Sequence, residues 1–134
     1  MTGTVLVLVD DLFWQTKIEH SVSAAQIPGK FRSDPAELAE TADPAKVALV
    51  IVDLALKKEP FSAIAALKRK SKGIPVIGYY EHVRRDVMQK GTDAGCDEVV
   101  ARSYFSQHLG DLVMKYAIPG GVRTESEEHE LPEE

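Results

Sequence analysis

The chain has 134 residues, 44% of them hydrophobic and 28% charged, which is one domain's worth and enough for a real core. Its formal charge is −5, but Glu125 to Glu134 hold six glutamates and no lysine or arginine; the remainder carries 16 basic against 15 acidic residues and lacks the basic face of a nucleic-acid binder. The single cysteine, Cys96, excludes an internal disulfide and suits a reducing compartment, and no apolar run approaches the ~20 residues of a membrane span.

In chain order, Thr4 to Val9 is a continuous β-branched and leucine run, too short for a signal-peptide core and followed at once by two aspartates, so the chain reads as cytoplasmic. Leu12 to Ala25 has a helical pattern, and Lys30 to Arg32 reads as a short edge strand. Asp34 before Pro35 predicts an N-cap with proline at the first helical position, opening a short helix through Glu40. Val47 to Leu54 is the second long apolar run, followed by a helix over Phe61 to Lys70 with Ile64 and Leu67 inward. The basic run Lys68-Arg69-Lys70 with Lys72 reads as the solvated end of that helix. Pro75 to Tyr79 is a third strand-like run, and His82 to Ala94 a helix with Val83, Val87 and Met88 on one face. Glu98 to Ala101 is a last short strand. Ser103 is the expected N-cap of a final helix carrying Phe105, Leu109, Leu112, Val113 and Tyr116 on one face, stopped by Pro119-Gly120-Gly121. Residues 1–118 form the expected domain, and 119–134 an acidic tail with too few apolar residues to fold.

Strands that are apolar throughout are buried on both faces, and their alternation with helices implies right-handed crossovers. The fold class is therefore α/β, a doubly wound five-stranded parallel sheet in the flavodoxin-like order 2-1-3-4-5. Ligands of such sheets bind beyond the carboxyl ends of the strands, where the order switches. That edge receives Asp10 and Asp11 from the first strand and Asp53 from the central one. Three neighbouring carboxylates call for a cation or raised pKa values; oxygen ligands of this kind suit Mg²⁺, and an aspartate beside it can act as nucleophile toward a phosphoryl donor. Plainer roles compete: Asp11 as a helix cap, Asp53 as a turn residue.

With these residues in place the chain resembles a response-regulator receiver domain, the CheY-like module of two-component signalling, over about residues 4 to 117. The likeness rests on VLVDD at Val7 to Asp11, VIVDL at Val50 to Leu54, IPVI at Ile74 to Ile77 and AGCDEVV at Ala94 to Val100, with a 42-residue separation of Asp11 and Asp53. The resemblance implies a Mg²⁺ site of Asp10, Asp11, Asp53 and the backbone carbonyl of Ala55, and a phosphoryl group accepted on Asp53 from a sensor histidine kinase or phosphotransfer protein. It implies a downstream protein partner, and output or homodimer contacts through the fourth helix, fifth strand and fifth helix. It implies no enzymatic output, and the charge balance and short apolar runs above imply no nucleic acid and no membrane.

The departures are specific. Tyr80 and Arg102 stand where receivers carry a phosphoryl-binding Thr or Ser and a Lys, and Ser103 where a Pro follows that Lys. Lys57 replaces the Pro expected four residues after the phosphoacceptor, the nearest proline being Pro60. Tyr104 lies where receivers place an aromatic that changes rotamer on activation; a surface tyrosine at a helix start is the plainer role. Leu12, Phe13 and Trp14 give an unusually apolar entry to the first helix, some of them as plain core contacts; Trp14 either lies over the site or marks an exposed contact. The four histidines show no metal-ligand spacing, Cys96 has no reactive partner, and Gly120-Gly121 is a helix stop rather than a phosphate loop. Two readings compete: a stand-alone receiver that accepts a phosphoryl group and signals by protein contact, and a pseudo-receiver acting independently of phosphorylation. A small flavodoxin-like enzyme or nucleotide binder is the third and weakest.

Overall fold

The computed structural model describes residues 3–81 and 84–117. Five strands, β1 (Thr4–Leu8), β2 (Gly29–Arg32), β3 (Val47–Asp53), β4 (Val76–Tyr80) and β5 (Glu98–Ala101), form one sheet of order β2-β1-β3-β4-β5, every pair parallel. The connections carry α1 (Leu12–Ala24), α2 (Leu38–Thr41), α3 (Phe61–Lys70) and α4 (Arg85–Ala94), and α5 (Arg102–Ala117) closes the described chain.

Alternation along the strands explains why the apolar runs are unbroken. Val5, Val7, Leu49, Ile51 and Ile77 face α1 and α5, where they meet Ile18, Val22, Phe105 and Leu112. Leu6, Leu8, Val50, Val52 and Val76 face the opposite layer, against Leu38, Ile64, Leu67 and Val87. Each such side chain, fully buried, contributes about 1.5–3 kcal/mol. The middle of the sheet is the most apolar because β1, β3 and β4 are covered on both sides, whereas β2 is an edge strand with Gly29 and Lys30 exposed.

Several boundaries differ from expectation. Pro35 opens a 3₁₀ turn, Pro35–Glu37, before the single α-turn of α2; Asp34 still caps it, accepting the Ala36 amide at 3.0 Å. β5 runs into α5 without a loop, so Ser103 lies inside the first turn and is not its cap. β4 extends one residue further than expected and includes Tyr80. The α4 expectation at His82 and Val83, the stop at Pro119-Gly120-Gly121 and the acidic tail lie outside the described residues. Gly78 and Gly91 make room for the Leu54 side chain, which lies between β4 and α4: a Cβ on either would stand 2.9 Å and 2.8 Å, respectively, from it and would force it to shift.

Candidate functional site

The carboxyl ends of β1, β3 and β4, with the start of α5, gather the candidate residues. Asp11 has the extended backbone of an N-cap and its Oδ1 accepts the Trp14 amide at 3.1 Å, so the capping role is realised. Asp10 reaches across to the β3–α3 loop, where its Oδ2 accepts the Lys57 amide at 3.0 Å. Asp53 ends β3 and is only 2% exposed. Its Oδ1 accepts the Ala55 amide at 2.9 Å, and its Oδ2 faces an Arg102 guanidinium nitrogen at 3.9 Å.

Burial pushes the Asp53 carboxyl above its ordinary value. The Ala55 amide, Arg102 and, least, the Tyr79 hydroxyl pull it back, and the negative charge of Asp10 raises it further. Asp10 and Asp53 are thus electrostatic neighbours. Asp11 contributes its charge to the same edge but commits one oxygen to the helix start. Among the described residues, no group of three or more Asp, Glu, His or Cys side chains converges on a point suited to a metal ion. The fit to a cation therefore rests on two carboxylates, a number sufficient for Mg²⁺, which keeps most of its waters.

Arg102 is the centre of the positive side. Its guanidinium lies 3.9 Å from Asp53, 3.8 Å from Glu81 and 5.7 Å from the centroid of the Trp14 ring. Neither carboxylate contact is short enough for a hydrogen bond, and the buried Nε has no partner. Trp14 is therefore a site residue: it packs on Tyr79 and Phe105 from below and carries Arg102 above.

The two tyrosines of β4 divide differently from the sequence expectation. Tyr80 belongs to the α3–α4 layer, and its hydroxyl donates to Met88 Sδ at 3.4 Å. It lines a cavity of about 300 Å³ with Leu54, Phe61 and Val87, bordered by Lys57 and Arg84. Tyr79 is the residue at the acidic site. It pairs with Asp53 across β3 and β4, shares its sheet face, and stacks on Phe105 with ring centroids 4.3 Å apart. Sequence counting missed it because a tyrosine inside an apolar strand reads as core.

Tyr104 packs partly buried against the α1–α5 layer and stacks on His108 at 4.0 Å. The His108 Nδ1 lies 3.0 Å from the Tyr104 carbonyl, at a kink inside α5. Further along, Lys115 and Tyr116 both hold Glu98 of β5, fixing α5 on the sheet edge. Lys68 is also structural, donating to the Lys72 and Ile74 carbonyls and to Asp97. No helix among the described residues is long and apolar enough to cross a membrane.

No known family's sequence profile matches the chain, and no curated protein matches it. Solved structures do. The BeF3-activated DrrB receiver domain matches with a TM-score of 0.73 at 17% identity, over 86% of this chain and 97% of its own. The phosphorylated cyanobacterial phytochrome response regulator RcpA gives 0.70 at 17% identity, over 87% and 94%. The chemotaxis response regulator CheY4 of Vibrio cholerae gives 0.73 at 17% identity, over 86% and 98%. At this identity the likeness is one of fold, and the fold is that of a CheY-like receiver domain.

Proposed function

We propose that this chain is a response-regulator receiver module of phosphorelay signalling, in which Asp53 accepts a phosphoryl group from a sensor histidine kinase or phosphotransfer protein. The observation that carries this reading is the setting of Asp53: a nearly buried carboxylate ending the central strand, one oxygen held by an amide and the other facing a guanidinium at 3.9 Å. The oxygen not held by Ala55 attacks phosphorus. Its O–P bond forms as the donor's P–N bond breaks, and the electron pair leaves with the imidazole. Arg102 offsets the charge that the phosphoryl group brings, and it is suited to a forked contact with phosphoryl oxygens.

The acidic pair Asp10 and Asp53 offers hard oxygen donors whose mutual repulsion a divalent cation relieves, so Mg²⁺ is the proposed cofactor, with Asp11 and the Ala55 carbonyl as the further ligands the receiver resemblance implies. Bound there, the cation would supply positive charge to the transferring phosphoryl oxygens. Output is proposed to pass through protein contacts on the face of α4, β5 and α5, in a cytoplasmic setting. Incubation with acetyl phosphate and Mg²⁺ should add one phosphoryl group by intact mass, and Asp53→Asn should abolish it. Absence of the adduct in the wild type, or its persistence in Asp53→Asn, would overturn the reading.

A second reading, the pseudo-receiver, is favoured by one observation: Arg102 already serves Asp53 as an internal counterion, while the Tyr80 hydroxyl is engaged with Met88. On that reading Asp53→Asn leaves partner binding unchanged.

A further inference from the structure

Two buried hydrogen-bond donors at the Asp53 edge lack a well-formed acceptor: the Tyr79 hydroxyl, which lies close enough to Asp53 to stabilise its charge but outside hydrogen-bond geometry, and the Arg102 Nε. Tyr79 is wholly buried, yet a buried hydroxyl normally finds a partner, because leaving one unmade forfeits its solvation without return. Its ring is clamped, parallel to Phe105 within 7° and tilted on Trp14 at 5.2 Å, so the hydroxyl cannot swing to another acceptor. It is aimed at Asp53, near enough to interact with the carboxylate but without a hydrogen bond of normal geometry. Burial and the neighbouring Asp53 charge raise the phenol's pKa well above its ordinary value, so the group stays a donor. The hydroxyl that the sequence pattern assigns to this task, that of Tyr80, is on the opposite face of the sheet.

We propose that the Tyr79 hydroxyl is a phosphoryl-binding group of this site, donating to an oxygen of a tetrahedral anion carried on Asp53 and replacing the small hydroxyl that this fold ordinarily supplies from the end of the fourth strand. Arg102 provides the second donor through its unpartnered Nε. The inference rests on the reading of Asp53 as phosphoacceptor and adds to it the residue that senses occupancy.

The test is a beryllofluoride titration with Mg²⁺, followed by the fluorescence of Trp14, the only tryptophan, whose ring lies 5.2 Å from that of Tyr79. Tyr79→Phe keeps the aromatic stack and deletes only the hydroxyl, so its thermal unfolding should stay close to the wild type and report that the variant is folded. Its beryllofluoride affinity should fall roughly tenfold to a hundredfold, the factor for losing one hydrogen bond to a charged group. Tyr80→Phe should bind as the wild type does. Equal affinity in Tyr79→Phe and wild type overturns the assignment, as does a loss confined to Tyr80→Phe. A wild type that binds no beryllofluoride overturns the phosphoacceptor reading and this inference with it.

Discussion

Asp53 sits where its charge is costly, and its neighbours decide how costly. Its carboxyl is raised above 3.8 chiefly by burial, with the Ala55 amide and Arg102 only partly compensating. A carboxyl that binds its proton more tightly when folded favours the fold at low pH, and that contribution is lost as pH rises through the folded value. Replacing Asp53 by Asn, which keeps the shape and removes the charge, should therefore raise the melting temperature at neutral pH by a few degrees. The gap should narrow as pH falls through the Asp53 carboxyl's range. An Asn variant no more stable than wild type at neutral pH would mean that Arg102 and the amide fully offset the desolvation. Residue identity at this site was legible in part. Asp10, Asp11 and Asp53 stood out because charges ending apolar runs are rare, whereas Tyr79 did not, because side chains alternate across a sheet. Counting one residue along β4 moves a hydroxyl from one face to the other.

At the scale of elements, the packing of β4 against α4 is set by Leu54, the residue next to Asp53. Its Cγ and both Cδ atoms lie within 3.0 Å of where a Cβ on Gly78 would be, and Gly91 gives room on the helix side. Gly78→Ala should cost about 1–3 kcal/mol by overpacking, against a backbone gain of about 0.5–1 kcal/mol, for a net loss in urea unfolding. In a Leu54→Ala background the same substitution should become neutral or stabilising, and simple additivity of the two changes would refute the clamp. The long elements were readable from the sequence because continuous apolar runs and a 3.6-residue period are strong signals; Phe61–Lys70 and Glu98–Ala101 agree with the structure residue for residue. The 3₁₀ turn at Pro35 and the loopless junction at Arg102 were not, since each follows from tertiary position rather than from a local preference.

Across the whole molecule, the parallel sheet places residues distant in sequence at one edge, and loops from separate crossovers hold one another there. The clearest such tie joins Asp10 to the amide of Lys57, 47 residues away. Receivers carry proline where Lys57 stands, and proline has no amide to donate. What reads along the chain as a missing motif residue is, in space, a latch: it engages one oxygen of an acidic side chain that would otherwise face only solvent or a cation. Because the backbone does the work, any residue but proline preserves it. Lys57→Ala should leave Mg²⁺ affinity as it is, while Lys57→Pro should release Asp10 and tighten Mg²⁺ binding several-fold in a Trp14 fluorescence titration; unchanged affinity would show that the latch does not compete with the metal. Substitution at a single backbone position would then tune how readily this edge takes up the proposed cation, without altering any of the carboxylates proposed to hold it.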